Sequence, residues 1–207
     1  MYSKQKKKPR RIKSDQHVSD APETICANVA EALFDRRVIT IYEEITQTSM
    51  MESITQILLL NVQSTCKPIT ILVNSGGGDM HSVFGLVDVI RSSKAKINTV
   101  CVGMAASAGA MILAAGHKRY ALPSTQIMVH SHWQAFEQVM THHDLVVEAE
   151  QSVIMHNLNI KFYQDATQLT ISEVEQLLSK DSWLTPERAK ELNLIDHIGC
   201  DLISLLK

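Results

Sequence analysis

The chain has 207 residues, 45% of them hydrophobic and 20% charged, and its formal net charge at pH 7 is −2. These values suit one globular domain with a sizeable core, and they exclude a membrane protein because no apolar run is long enough to cross a bilayer. No secretory leader is expected, since no apolar segment follows the basic N-terminus. The scattered cysteines favour a reducing, cytoplasmic location over a disulfide framework: Cys26, Cys66, Cys101 and Cys200.

A basic, disordered tail is predicted over residues 1–20, followed by one folded domain over residues 21–207. Residues 1–13 hold seven lysines and arginines and no acid, so the remaining 13 basic residues face 22 acidic ones. A solvated tail is the simplest interpretation. Docking on an acidic partner surface and weak contact with nucleic acid are the functional alternatives. No nucleic-acid-binding motif accompanies the run, so no nucleic-acid partner is expected.

Strands and helices alternate along the rest of the chain. Apolar runs predict strands at 38–42, 69–73, 99–102, 118–121 and 126–130, with helices at 49–64, 80–92, 107–115 and 142–164. Two later helices have marked starts. A capping box begins at Thr170, and Thr185 is followed by a proline, with Asn193 as the stop of that second helix. This alternation predicts an α/β fold with a largely parallel sheet.

Ser107 is the most informative residue in the pattern. It lies within GMAASAGA (103–110), where an apolar strand turns into a helix of small residues. The free N–H groups and the dipole of a helix start stabilise negative charge there. Small neighbours also leave the hydroxyl accessible, as a nucleophilic serine requires. An ordinary N-cap on a tightly packed helix is the alternative interpretation.

The glycines Gly76, Gly77 and Gly78 follow Asn74-Ser75 at the carboxyl end of a buried strand. Ligands bind at this edge of α/β sheets, and glycines let backbone N–H groups point into a site without obstruction by a Cβ. Such a donor, together with the N–H of Ala108, would form an oxyanion hole. A flexible turn or a phosphate-binding loop is the alternative. A Walker A loop is excluded because no Gly-Lys-Ser/Thr follows.

His130 ends a predicted strand and is placed to face the same crevice as a general base. Asp181 precedes a capped helix and is a candidate for orienting the imidazole. The alternatives are a satisfied core or surface histidine and a loop aspartate that caps a turn. Asp165 and Asp196 are competing acids that spacing alone does not separate from Asp181.

Three further histidines lie near His130 in the sequence: His132, His142 and His143. They lack an HExxH spacing and a carboxylate at a ligand-like offset, so no metal site is expected.

The motifs, taken in this order, resemble the proteolytic subunit of the Clp protease (ClpP) over residues 32–198. The stretches that carry the resemblance are 73–78, 103–116, 120–130, 181–189 and 194–196. The resemblance implies a ClpP/crotonase-like α/β fold with repeated β-β-α units and a protruding helical handle.

The family's site residues carry over by position. Ser107 resembles the nucleophile, His130 the general base and Asp181 the orienting acid. Gly77 and Ala108 resemble the oxyanion-hole residues. The groove that pairs with an extended peptide would be bordered by Gly78, Asp79 and Met80.

The resemblance implies an ATP-dependent serine endopeptidase that cleaves unfolded polypeptides inside an oligomeric chamber. Family members form homo-oligomers of heptameric rings, and two stacked rings make a tetradecamer. A Clp-type AAA+ unfoldase supplies the substrate and uses the ATP, so this chain itself needs no cofactor. No membrane partner is expected.

Four departures from the family pattern leave the number of rings and the docking partner open. The lysine-rich tail occupies the end where the family has a short apolar gate segment, which leaves the docking partner open. Gly76 replaces a usual proline, Ser131-His132 replaces Gln-Pro, and residues 133–140 lack the glycines that lead into the handle helix. Other functions therefore stay in view. They are a catalytically silent ring or assembly subunit, a processing protease of the capsid-maturation type, and a crotonase-type enzyme acting on coenzyme A thioesters. The last of these needs no Ser-His-Asp set.

Overall fold

The computed structural model describes residues 29–133 and 139–205. The predicted basic tail, Cys26 and most of the 133–140 stretch lie outside the described residues. A helical stretch at 29–34 precedes the first strand. The strands are β1 (Val38–Ile41), β2 (Ile69–Ser75), β3 (Ile97–Ala106), β4 (Lys118–Ala121), β5 (Gln126–Val129), β6 (Ser182–Leu184) and β7 (His197–Ile198). The helices are α1 (Gln47–Gln63), α2 (Met80–Ser92), α3 (Ala108–Ala115), α4 (His142–Thr167), α5 (Ile171–Leu178), α6 (Pro186–Glu191) and α7 (Leu202–Leu205).

The strands form one mostly parallel sheet in the order β1-β2-β3-β4-β7, and β5 also pairs in parallel with β3. Only β6 is antiparallel, against β5. The first half of β3 pairs with β4 (Asn98 opposite Lys118), and its last residues pair with β5 (Ala106 opposite Met128). The carboxyl ends of β2, β3 and β5 therefore meet at one edge. The predicted α/β class with a largely parallel sheet is confirmed.

The core lies between the sheet and the helices that cover it. Residues 69–73 of β2 are all buried, in agreement with a strand covered on both faces. Helix α3 is buried along its whole length because its small and aliphatic side chains present no polar face. Its contacts with β2 and β3 fix the helix start beside the carboxyl ends of these strands.

Helix α4 is only partly covered by the core. Its first three turns carry no buried side chain, whereas its later turns bury Met155, Asn159, Ile160, Phe162, Tyr163 and Thr167. The exposed part carries aliphatic side chains at Leu145, Val146, Val147, Val153 and Ile154. In the part of the chain that the structure describes, no helix has the length and hydropathy needed to cross a membrane.

The predicted helix ends are confirmed. Thr170 and Glu173 form a reciprocal capping box, in which the N–H of Glu173 donates to Oγ1 of Thr170 and the N–H of Thr170 donates to the Glu173 carboxylate at 2.8 Å. Thr185 caps α6 ahead of its proline. Asn193 ends that helix in the left-handed region, with φ 59°.

Several predicted boundaries shift by one to three residues, and two differences bear on the site. The strand expected at 99–102 extends over Ile97–Ala106, because residues 104–106 pair with β5 instead of forming a turn. The helix expected to open at Ser107 begins at Ala108, and Ser107 itself has φ 54° and ψ −122°. Ser107 therefore belongs to neither β3 nor α3.

Candidate active site

Ser107 occupies a sharp turn between β3 and α3. Its backbone lies in a region that residues with a side chain rarely adopt, at a cost of about 1–3 kcal/mol. The N–H of Ser107 donates to the Met128 carbonyl at 2.8 Å, so pairing with β5 holds the turn in place. The side chain remains partly exposed. This strand–turn–helix geometry presents the hydroxyl above the edge of the sheet.

Small residues around Ser107 allow the backbones to approach closely. A Cβ added to Gly109 would lie 2.9 Å from the Ser75 carbonyl oxygen, so α3 begins directly against the end of β2. A Cβ added to Gly103 would overlap the side chain of Asn74, whose Oδ1 accepts the N–H of Met104 at 2.9 Å. The run of Gly and Ala thus reflects close packing at the site, which the sequence interpretation left open.

His130 follows β5 and reaches the serine. Its Nε2 lies 2.8 Å from Oγ of Ser107, which is hydrogen-bonding distance. The imidazole is largely buried, with 14% of its side chain exposed. The parallel pairing of β5 with β3 brings the two residues to the same edge. A nucleophile and a base at this separation form the arrangement that activates a serine hydroxyl.

Asp181 lies on the other side of the His130 ring. It immediately precedes β6, and the antiparallel pairing of β6 with β5 sets Ser182 opposite Val129. Oδ1 of Asp181 is 3.4 Å from Nδ1 of His130, and the Asp181 side chain is 67% exposed. A carboxylate in this place favours the tautomer with hydrogen on Nδ1 and leaves Nε2 free to accept the serine proton.

The two competing acids lie in other contacts. Asp165 pairs with Lys161 at 3.1 Å on the exposed side of α4. Asp196 accepts hydrogen bonds from the backbone and guanidinium of Arg119, the shortest at 2.6 Å. Burial raises the pKa of Asp196, but the hydrogen bonds and charge of Arg119 outweigh that effect and lower it. The structure therefore brings only Asp181, of the three, to the imidazole.

Gly77 and Ala108 adjoin the serine from two directions. Gly77 has φ 105°, and a Cβ there would lie 2.7 Å from Cβ of Ser107 and 3.1 Å from the Ala108 nitrogen. The Ala108 N–H is in the first turn of α3 and has no acceptor among the described residues. The Gly77 N–H is already engaged, since it donates to Oγ of Ser75 at 3.2 Å.

Gly78 presents a short free backbone edge beside the serine. It bridges Ile45 in parallel: the N–H of Ile45 donates to Gly77, and the N–H of Asp79 donates to Ile45, each at 2.8 Å. In a parallel pair the intervening residue turns its N–H and C=O to the opposite edge. Gly78 is exposed, so that edge is open to an extended chain.

Asp79 and Met80 have roles in α2 as well as flanking this edge. The Asp79 carboxylate caps the helix by accepting the N–H of Ser82 at 2.8 Å. Burial raises the pKa of Asp79, but the hydrogen bonds from Ser82, together with the charge and backbone N–H of His81, lower it by more. Met80 starts the helix and packs against the main core. Their placement next to Gly78 thus depends on the start of α2.

A second polar cluster beside His130 was not recognised from the sequence. Ser131 and His132 contact α4: Nε2 of His132 lies 3.1 Å from Oγ of Ser152, and Oγ of Ser131 lies 3.5 Å from Nδ1 of His156. The only signal in the sequence was the departure from Gln-Pro at these positions, which does not reveal their partners. Among the described residues, no group of three or more His, Cys, Asp or Glu is arranged to hold a metal ion.

Comparison with known families gives one match over most of the chain. The family model described as Clp protease matches residues 21–201 of the 207. This span includes Gly77 and Gly78 beside the serine, the whole of β3 and β5, and the segment that carries Asp181.

Proposed function

Because this chain belongs to the Clp protease family, we propose that it is the proteolytic subunit of an ATP-dependent Clp-type assembly. In this proposal it is a serine endopeptidase that hydrolyses unfolded polypeptides. The observation that carries the proposal is the 2.8 Å contact between Oγ of Ser107 and Nε2 of His130. The Asp181 carboxylate on the other ring nitrogen supports it.

In the first half of the reaction, Oγ of Ser107 attacks the carbonyl carbon of a peptide bond. Nε2 of His130 takes the hydroxyl proton, and Asp181 offsets the charge of the imidazolium. The Ala108 N–H, together with the Gly77 N–H once it leaves Ser75, donates to the carbonyl oxygen as that oxygen becomes negative. His130 then gives its proton to the departing amine as the C–N bond breaks, and an acyl-enzyme remains.

In the second half, a water molecule replaces the amine. His130 accepts a proton from this water as its oxygen attacks the ester carbon, and the same donors hold the new oxyanion. The bond to Ser107 breaks, and the proton on His130 returns to the serine oxygen. The products are two shorter peptides and the regenerated site.

The open edge at Gly78 supports an extended substrate. A peptide added there would form backbone hydrogen bonds with the N–H and C=O of Gly78 and bring its scissile carbonyl beside Ser107. Backbone pairing recognises any unfolded chain that can adopt a strand. Selection would then depend on access, which fits homo-oligomeric rings that receive chains from an AAA+ unfoldase. ATP is used by that partner.

Labelling of the full-length chain with a fluorophosphonate serine probe tests the proposal. The native chain is expected to take up one probe per subunit, and Ser107→Ala none. The control Ser92→Ala, which removes an exposed hydroxyl at the end of α2, is expected to stay labelled. An unlabelled native chain would favour a silent assembly subunit. Cleavage of only one defined bond in a protein substrate would favour a processing protease. Native mass measurement gives the number of subunits.

A further inference from the structure

The cluster formed by Ser131, His132, Ser152 and His156 takes no part in the proposed reaction. Ser152 and His156 lie one turn apart on the same face of α4, and that face meets the segment after β5. The rings of His132 and His156 are 6.2 Å apart between centroids. His132 and His156 thus lie where the segment that carries His130 contacts α4.

Two hydrogen bonds hold the peptide unit that joins His130 to Ser131. The Ser131 N–H donates to the Leu178 carbonyl at 2.9 Å, which fixes the backbone to the end of α5. The buried side chain of Asn159, farther along α4, approaches the His130 carbonyl at 3.5 Å. His132 lies two residues after His130, so a shift of the His132 ring acts on the base through two peptide units.

The surroundings of His132 suit a neutral ring. Nδ1 of His132 is buried and has no hydrogen-bond partner within the described residues, whereas Nε2 faces Ser152. A neutral ring with its hydrogen on Nε2 donates to Ser152 and leaves only a lone pair buried. A second proton would place a charged N–H where the described part of the chain offers no acceptor. Desolvation lowers the pKa of His132, and the charges of His156 and His130 lower it further.

Two histidines and two carboxylates lie around the His132 ring. His130 faces it from the end of β5, and His156 faces it from α4. Glu148 lies one turn before Ser152 on α4, and Asp181 lies beyond His130, against Nδ1 of that ring. Among the described residues, the two charges that lower the pKa of His132 belong to histidines, His156 first and then His130.

We propose that His132 and His156 are positioning residues that hold the His130 segment against α4 only while His132 is neutral. Protonation of Nδ1 of His132 buries a charged N–H that has no acceptor among the described residues, which displaces the ring from Ser152 and withdraws the His130 ring from Ser107. This inference rests on the proposed function, because it concerns the same serine and histidine. It adds a second proton to the acid inactivation that protonation of His130 alone would cause.

The acid limb of kcat/KM for a short uncharged fluorogenic peptide tests the inference. As the pH is lowered, log kcat/KM of the wild type is expected to decrease with slope one and, below a second step, with slope two. One pH unit below that second step, the activity should be about tenfold lower than the value expected for a single protonation. His132→Gln is expected to follow the one-proton line throughout. His156→Gln should move the second step to higher pH, because it removes a group that lowers the pKa of His132.

His143→Gln is the matched control. It removes an exposed histidine from the first turn of the same helix, and its profile should superimpose on that of the wild type. A wild-type limb with one proton throughout, or a second step retained in His132→Gln, would overturn the inference.

Hydrogen exchange of the Ser131 amide gives a readout that needs no hydrolysis. Its protection, corrected for the intrinsic rate, should fall in the wild type as the His132 ring titrates by NMR, and should persist in His132→Gln. Protection of the Ser131 amide that survives in the protonated wild type contradicts the inference. Because this measurement uses the wild type alone, it decides the question even where His132→Gln fails to fold. A chain that shows this loss of protection but hydrolyses no peptide refutes the proposed function alone.

Discussion

Gly77 lies so close to Ser107 that a Cβ at position 77 would be 2.7 Å from the serine Cβ. No side chain fits there without moving the turn. The φ of 105° at Gly77 adds a second reason for glycine, because residues with a Cβ rarely adopt it. The glycine at position 77 is thus required by the geometry of its neighbour.

Gly77→Ala should therefore displace the proposed oxyanion donor. We expect a fall in kcat/KM of about 100- to 1000-fold, the range for loss of one such donor. Backbone strain of about 1–3 kcal/mol should also lower the thermal midpoint. Peptide hydrolysis and thermal unfolding check both effects.

Gly76→Ala is the control for that variant. A Cβ at Gly76 would meet only the end of the Met104 side chain at 3.7 Å, an ordinary contact. Its activity and midpoint should stay close to those of the wild type. Equal losses in both variants would argue against a specific role for Gly77.

Asp181→Asn should reduce turnover without disturbing the fold. The amide keeps the size of the side chain but no longer offsets the charge of His130, which lies 3.4 Å away. Since Asp181 is 67% exposed, water partly replaces it, and we expect a fall in kcat of about 10- to 100-fold. Steady-state kinetics give this value. Asp165→Asn, on the exposed side of α4, should leave kcat unchanged; a similar loss there would return Asp165 to consideration.

Asp196→Asn should destabilise the chain in a pH-dependent way. The Arg119 contacts lower the pKa of Asp196 in the folded state, so their contribution is present above the unfolded value of about 3.9 and is lost as pH falls through the folded value. We expect a loss of about 1–3 kcal/mol in the free energy of unfolding at pH 7, shrinking towards pH 3. Urea unfolding at both pH values measures it.

The exposed pair formed by Lys161 and Asp165 supplies the comparison for Asp196. Asp165→Asn should cost less than about 0.5 kcal/mol at either pH, because exposed pairs at this helical spacing contribute little. A difference for Asp196→Asn that does not change between pH 7 and pH 3 would contradict the assigned role of its charge.

Ser75→Ala should lower stability through two backbone groups, of which the Gly77 N–H is buried. The Ser75 hydroxyl donates to the Glu43 carbonyl at 2.5 Å and accepts the Gly77 N–H, so its removal leaves both without their partner. We expect a loss of about 1–3 kcal/mol, measured by urea unfolding. Ser53→Ala is the control, since that buried hydroxyl donates to a carbonyl of its own helix, and its loss should be smaller. Equal losses in the two variants would show that the Ser75 hydrogen bonds contribute no more to stability than the bond that Ser53 makes within its helix.

The sequence predicted local features with a short-range cause. The capping box at Thr170 and the stop at Asn193 depend on residues within three or four positions, so both could be derived from spacing. The buried run in β2 was also clear, since a parallel strand covered on both faces is apolar at every position.

Features that depend on distant pairing were harder to predict. The small residues 103–106 resemble a turn by composition, but they extend β3 because β5 pairs with them. The choice of Asp181 over two other acids depends on the pairing of β6 with β5, and spacing contains no information on that pairing. Ser131 and His132 gave no hint of Ser152 and His156, since those partners lie on a helix after an intervening segment.

The antiparallel contact between β6 and β5 has a consequence for the order of assembly. Ser107 lies near the middle of the chain, whereas the aspartate that completes its surroundings is translated 74 positions later. A growing polypeptide would therefore expose the hydroxyl and its glycines well before residues 182–184 can dock. Until those residues pair with β5, the serine and its histidine neighbour lack the carboxylate, so the proposed hydrolysis would begin only after this late docking step.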